Sequence, residues 1–77
     1  MMNNNLIGII GAGKSGTACC ELALRFGYKV ILSEISKNKE INIKKHPNLI
    51  IEKGSHSDKL LECNILIISP GISSEID

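Results

Sequence analysis

The sequence predicts an α/β fold, a Rossmann-like three-layer arrangement around a parallel sheet of four strands. Three observations predict it. Uniformly apolar runs recur at residues 6–10, 30–32, 49–51 and 65–68, the pattern of parallel strands buried on both faces. A glycine-rich turn, Gly11-Ala12-Gly13-Lys14-Ser15-Gly16, joins the first run to a helical pattern. The first strand, helix and second strand together take about 30 residues, the size of a βαβ unit.

The first strand is residues 6–10, and the turn after it fits Gly-x-Gly-x-x-Gly. Gly11 permits a tight turn at the strand end. Gly13 lacks a Cβ, so backbone can approach a phosphate there, and Gly16 allows close helix–strand packing. The free N–H groups and positive dipole end of the following helix then face the anion. A second motif overlaps the first, because Gly8 and Gly13-Lys14-Ser15 also fit the Walker A pattern Gly-x-x-x-x-Gly-Lys-Ser. That alternative needs a mostly polar strand at residues 3–7 and puts Ile9 and Ile10 in a solvated loop. The apolar strand ending at Ile10 is the better reading.

The helix is expected from Ser15 or Gly16 to Phe26, with Cys19, Leu22, Ala23 and Phe26 on one face and Glu21 and Arg25 paired on another. Gly27 follows as a left-handed C-cap. Strand two covers residues 28–33, reached by a right-handed crossover. Glu34 stands at its end, about 20 residues past the glycines, where an acid accepts hydrogen bonds from a ribose. The plainer alternative is a solvated loop glutamate.

Residues 36–46 carry Lys37, Lys39, Lys44 and Lys45 with the β-branched Ile41 and Ile43, which weaken a helix. A short helix or an irregular crossover is expected, its lysines a solvated face. Pro47 ends it, and residues 49–52 form strand three. Gly54-Ser55-His56 is a turn, with Ser55 and Asp58 spaced as a capping box before a short helix bearing Leu60 and Leu61. His56 reads as a surface or capping residue. Strand four, residues 65–68, is expected to be buried on both faces. It ends in Ser69-Pro70-Gly71-Ile72, where proline cannot continue the ladder. In a parallel sheet these strand ends share one edge. The glycine turn, Glu34 and residues 69–71 therefore converge on one crevice, although Ser-Pro-Gly alone does no more than end a strand.

The chain has 77 residues, net charge +1, one Tyr, one Phe and no Trp. That bounds it to one small domain, without the basic footprint or stacking aromatics of a nucleic-acid binder. Cys19, Cys20 and Cys63 have neither a disulfide framework nor metal spacing and read as buried small hydrophobes in a reducing cytosol. No catalytic or metal-ligating set stands out. The first apolar run is too short for a signal peptide or membrane span, so a cytoplasmic protein with no membrane partner is expected. The pattern stops after four strands, and the chain is expected to be the N-terminal piece of something larger.

Taken together, Gly11 to Gly16, Gly27, Ser33-Glu34, Gly54-Ser55-His56 and Ser69 to Ile72 resemble, in order and spacing, the N-terminal domain of the D-glutamate-adding branch of the Mur ligase family. The L-alanine-adding branch is less similar, since it usually carries Ser-Ser-Ala where this chain has Ser-Pro-Gly. The resemblance implies an ATP- and magnesium-dependent ligase of peptidoglycan synthesis that joins D-glutamate to UDP-N-acetylmuramoyl-L-alanine through an acyl-phosphate. It implies that residues 1–77 hold the UDP end without NAD, and that the ATP and D-glutamate sites belong to central and C-terminal domains outside this chain. Carried over by position, Gly13, Lys14, Ser15 and Gly16 lie near the diphosphate. Glu34, Ile35 and Ser36 lie near the uridine, as do Ser69, Pro70 and Gly71. Two positions depart from the pattern: Glu34 replaces the commoner aspartate, and Ser36 an arginine of some members. The competing class is an NAD(P)-binding Rossmann module of a dehydrogenase or nucleotide sensor. It suits the glycines and Glu34 equally but does not explain Ser-Pro-Gly.

Overall fold

The computed structural model describes residues 6–68. Strand β1 is Leu6–Ile10, helix α1 Lys14–Arg25, β2 Lys29–Glu34, β3 Leu49–Lys53 and β4 Ile65–Ile68, with a 3-10 helix at Asp58–Glu62 before β4. The four strands form one all-parallel sheet in the order β3-β2-β1-β4. This is the α/β, Rossmann-like arrangement expected, with β1 between β2 and β4.

The sheet has two unlike faces. Ile7 and Ile9 of β1 stand in register with Val30 and Leu32 of β2, and these four form the core with Ala12, Cys20 and Ala23. Successive strand residues point to opposite faces, so Gly8 faces the other way. A Cβ on Gly8 would fall within about 3 Å of Cys63, Leu66 and Leu60 side-chain atoms, which places the β3–β4 connection on that second face. The progression across the sheet reverses after β3, since β4 adds on the far side of β1, and the right-handed crossover rule sends that connection to the opposite face. The 3-10 helix is thin cover, and Leu60 is its one buried residue.

The rotation of α1 is set by Gly16. A Cβ there would lie 1.9 Å from the Gly11 carbonyl oxygen, so this residue faces the end of β1 with no space to spare. From that pivot, Gly16, Cys20 and Ala23 form the buried face. The face therefore differs from the one expected: Leu22 and Phe26 are exposed, Phe26 by 71%. The C-terminus closes as a Schellman motif. Gly27 adopts φ +91°, its N–H donates to the Leu24 carbonyl, and Tyr28 N–H donates to that of Ala23. All three cysteines are free. Burial, with the Glu21 and Cys19 charges adding, pushes the Cys20 thiol up to about 11, so it behaves as an inert hydrophobe.

Of the two forms expected for residues 36–46 the irregular crossover is found, and two further expectations change. Residues 36–48 form no helix. Ile41 and Ile43 pack from this irregular crossover against the core on the α1 side. The 3-10 helix is capped by Ser57, whose side chain accepts from Lys59 N–H, rather than by Ser55. The cause is Glu52, whose Oε2 accepts the Ser57 N–H at 2.9 Å and fixes where the turn ends. Strand β4 is not buried on both faces. Among the described residues it pairs only with β1, and Ile65, Leu66 and Ile68 are exposed, Ile68 by 64%. Its uniform hydrophobicity predicts more cover than the described residues supply.

Two glycines separate packing from tolerance. Gly16→Ala should destabilise the chain by about 1–3 kcal/mol, the cost of overpacking against rigid backbone. Gly13→Ser should leave stability within about 0.5 kcal/mol, because Gly13 has φ −78° and no described residue lies within 4 Å of its would-be Cβ, and serine is a good N-cap. Urea unfolding of the two variants checks the contrast.

Candidate functional site

In a parallel sheet the strand C-termini open on one edge, and ligands sit where connections leave in opposite directions. Here that point is between β1 and β4. Strand β1 runs through Gly8 without interruption to Ile10, so no loop opens at Gly8 and the Walker reading fails. The turn starts at Gly11, whose φ of +102° closes it. Its N–H donates to the Ser33 carbonyl at 2.8 Å, tying the glycine turn to the end of β2.

Helix α1 follows with no side-chain cap and no acid in its first turn. Thr17 N–H closes that turn on the Gly13 carbonyl, so the N–H groups of Lys14, Ser15 and Gly16 have no acceptor inside the helix. Lys14 and Ser15 are exposed, Gly13 is half-buried and Gly16 buried. Gly13 is informative because nothing among the described residues requires glycine there. Its backbone suits any residue, and a side chain would meet open space.

Glu34 closes β2 and is only 8% exposed. Its carboxylate bridges two loops: Oε1 accepts from Ala12 N–H at 2.8 Å and Oε2 from Ser36 N–H at 3.0 Å. Burial pushes the carboxyl up. The Ala12 and Ser36 donors, with the Lys39 and His56 charges, outweigh that and hold it below the usual carboxylate value. Sequence reasoning placed Glu34 at the crevice but missed this clamp. Ile35 and Ser36 follow it, both exposed. Ser69, Pro70 and Gly71 lie outside the described residues.

A second polar group at the same edge was not anticipated. Ser33 and Glu52 stand opposite each other in β2 and β3. The Ser33 hydroxyl lies 2.7 Å from Glu52 Oε2 and also meets His56 Nδ1. Glu52 Oε2 holds the Ser57 N–H as well. For Glu52 too, burial raises the carboxyl, and the Ser33 and Ser57 hydrogen bonds with the His56 charge bring it below its usual value. Gly-x-His was the only trace of this group in the sequence. Its partners are set by strand register. A groove of about 380 Å³ lined by Glu21, Leu24, Arg25, Ile43, Lys44 and His46 lies along the later part of α1, away from the glycine turn. Among the described residues no His, Cys, Asp and Glu group is placed to hold a metal ion, and no helix is long and apolar enough to cross a membrane.

The chain matches the MurD N-terminal domain family over residues 6–77. It is 40% identical to a UDP-N-acetylmuramoylalanine--D-glutamate ligase of Elusimicrobium minutum, across 88% of this chain and 15% of that protein. The protein of the same name from Pelodictyon phaeoclathratiforme is 35% identical across 86% of the chain and 15% of its own length. The one from Chlorobaculum tepidum is 31% identical across 97% and 17%. The chain thus spans about a sixth or less of the length of these curated relatives. No solved structure matches it significantly.

The two clamping carboxylates set an acid limit. Both are held below the ordinary value of 4.5 in the fold, so their stabilisation is fully present above that value. It is lost as pH falls through the lower folded values. Glu34→Gln and Glu52→Gln should each reduce stability at neutral pH by on the order of 1 kcal/mol and flatten the loss below pH 4.5. Urea midpoints measured from pH 3 to 7 test this, and a variant with an unchanged acid slope would remove that carboxylate from the account.

Proposed function

The chain belongs to the MurD N-terminal domain family, and on that premise we propose that it is the UDP-holding N-terminal domain of an ATP-dependent ligase adding D-glutamate to UDP-N-acetylmuramoyl-L-alanine. The role is in cytoplasmic peptidoglycan synthesis, hence in cell shape and division. Residues 1–77 are a fragment of that domain. The acyl-phosphate chemistry, ATP with magnesium, and D-glutamate belong to further domains of the full-length enzyme. This part binds and orients substrate and carries no catalytic residue.

The observation that carries the reading is Gly13. Neither its φ of −78° nor any neighbour among the described residues requires glycine, and the absent Cβ leaves room for an external group to approach. The uncapped N–H groups of Lys14, Ser15 and Gly16 suit a diphosphate, with the α1 dipole and the Lys14 charge adding to them. In this proposal Glu34, Ile35 and Ser36 border the uridine on the β2 side and Ser69, Pro70 and Gly71 on the β4 side. Glu34 contributes chiefly by holding Ala12 and Ser36 in place.

The test is a titration of labelled chain with UDP and with NADH, following amide shifts. UDP should perturb residues 13–16 and 34–36 together, weakly, since the domains that would enclose the ligand are missing. Gly13→Ser should fold normally and lose the response. Tighter binding of NADH at the same residues would replace this reading with a dinucleotide-binding one. The chain alone should also show no ATP turnover. Turnover abolished by Lys14→Ala would overturn the assignment of ATP chemistry to other domains.

A further inference from the structure

The chain has two histidines, and the fold engages the same ring nitrogen of each in opposite ways. His46 Nδ1 accepts the Asn48 N–H at 3.0 Å, so neutral His46 carries its proton on Nε2. His56 Nδ1 meets the Ser33 hydroxyl. That hydroxyl has one hydrogen, and an ionised carboxylate stands 2.7 Å away at Glu52 Oε2 with none to give. Ser33 therefore donates to Glu52, the stronger acceptor, and has only lone pairs left for His56. Nδ1 must supply the proton. Ser33 is 0% exposed while His56 is exposed, so the ring turns Nδ1 inward and leaves Nε2, unpartnered among the described residues, as an acceptor on the outer side.

We infer that His56 is a ligand-contacting residue of the strand-end site, held in the Nδ1–H tautomer by Ser33 and Glu52, and that its Nε2 accepts a hydrogen bond from the nucleoside end of the bound nucleotide. The inference rests on the UDP reading above. The donors available on such a ligand are ribose hydroxyls and the uracil ring N–H. The free N–H groups of α1 and the Lys14 ammonium are themselves donors and cannot accept them. Glu34, the acceptor expected from the sequence, has both oxygens engaged by Ala12 and Ser36. His56 sits beside the same strand end, against Ser33, the residue before Glu34. It therefore adds an outward-facing acceptor beside a Glu34 carboxylate whose two oxygens each already accept one backbone N–H. Ser33 and Glu52 act through the imidazole as positioning residues, because Ser33 has no surface with which to touch a ligand.

Long-range proton–nitrogen spectra of the imidazoles in the labelled 77-residue chain, at a pH where both rings are neutral, test this, with His46 as internal reference. The expected result is His56 protonated on Nδ1 and His46 on Nε2. Added UDP should shift His56 Nε2 together with the amides of residues 13–16 and leave His46 unmoved. His56→Ala should weaken UDP about 3- to 10-fold, the worth of one neutral hydrogen bond. Ser33→Ala should convert His56 to the Nε2–H form and weaken UDP by the same factor, with no further loss in the double variant. The tautomer reading and His56→Ala, at an exposed position, remain decisive if Ser33→Ala does not fold. A proton on Nε2 of His56 in the unsubstituted chain overturns the inference. So does UDP binding that shifts residues 13–16 while His56 Nε2 and the affinity of His56→Ala stay unchanged, and in that case the UDP reading survives. If UDP shifts neither, the UDP reading itself has failed and the ligand contact falls with it.

Discussion

The contact on which the rest of this domain depends is the approach of α1 to the end of β1 at Gly16. With 1.9 Å between a would-be Cβ and the Gly11 carbonyl oxygen, helix and strand meet backbone to backbone. That closeness sets which side of α1 is buried, and so selects Cys20 and Ala23 for the core. It also aims the helix N-terminus over the end of β1, bringing the free N–H groups beside the turn that Gly11 begins. Fold and site share one constraint there, and a larger residue at position 16 disturbs both.

Two carboxylates extend the arrangement across the sheet edge. Glu34 joins the loop after β1 to the loop after β2. Glu52 joins β2 to the turn after β3 through Ser33 and Ser57. Three successive strand ends are thus linked by buried or half-buried acids accepting N–H and O–H hydrogens, which are among the stronger hydrogen bonds of a protein. The longer side chain at position 34, one methylene beyond aspartate, is what spans from Ser36 to Ala12.

Much of this was legible in the sequence, and the misses have definable causes. The four strands were readable because buried parallel strands are uniformly apolar, and the glycine turn because its spacing encodes both a positive φ and a close approach. The helix face was missed because hydropathy weighs Leu22 and Phe26 heavily and Gly16 hardly at all, although a glycine's lack of bulk governs the packing. Ser57 was missed as the cap because Ser55 fits the local pattern as well, and only Glu52, reaching from β3, decides between them. The Ser33–Glu52–His56 group depends on register between β2 and β3, a long-range fact that no local spacing carries. Strand β4 shows the opposite failure: its uniform hydrophobicity was read as burial on both faces, whereas in the described residues Ile65, Leu66 and Ile68 are exposed.

The helix-free crossover has a mechanical consequence. Residues 36–48 are held by scattered contacts, Ile41 and Ile43 on the core and the Lys53 ammonium on the Lys39 carbonyl, rather than by a ladder of backbone bonds. A segment of that kind opens locally at far lower free energy than the sheet does. Its first residue is Ser36, which would otherwise transmit every such opening into the crevice. The Ser36 N–H, however, is bonded to Glu34 inside the sheet. That bond works as a strain relief on a cable: the crossover can flex beyond it while the wall of the crevice keeps its shape.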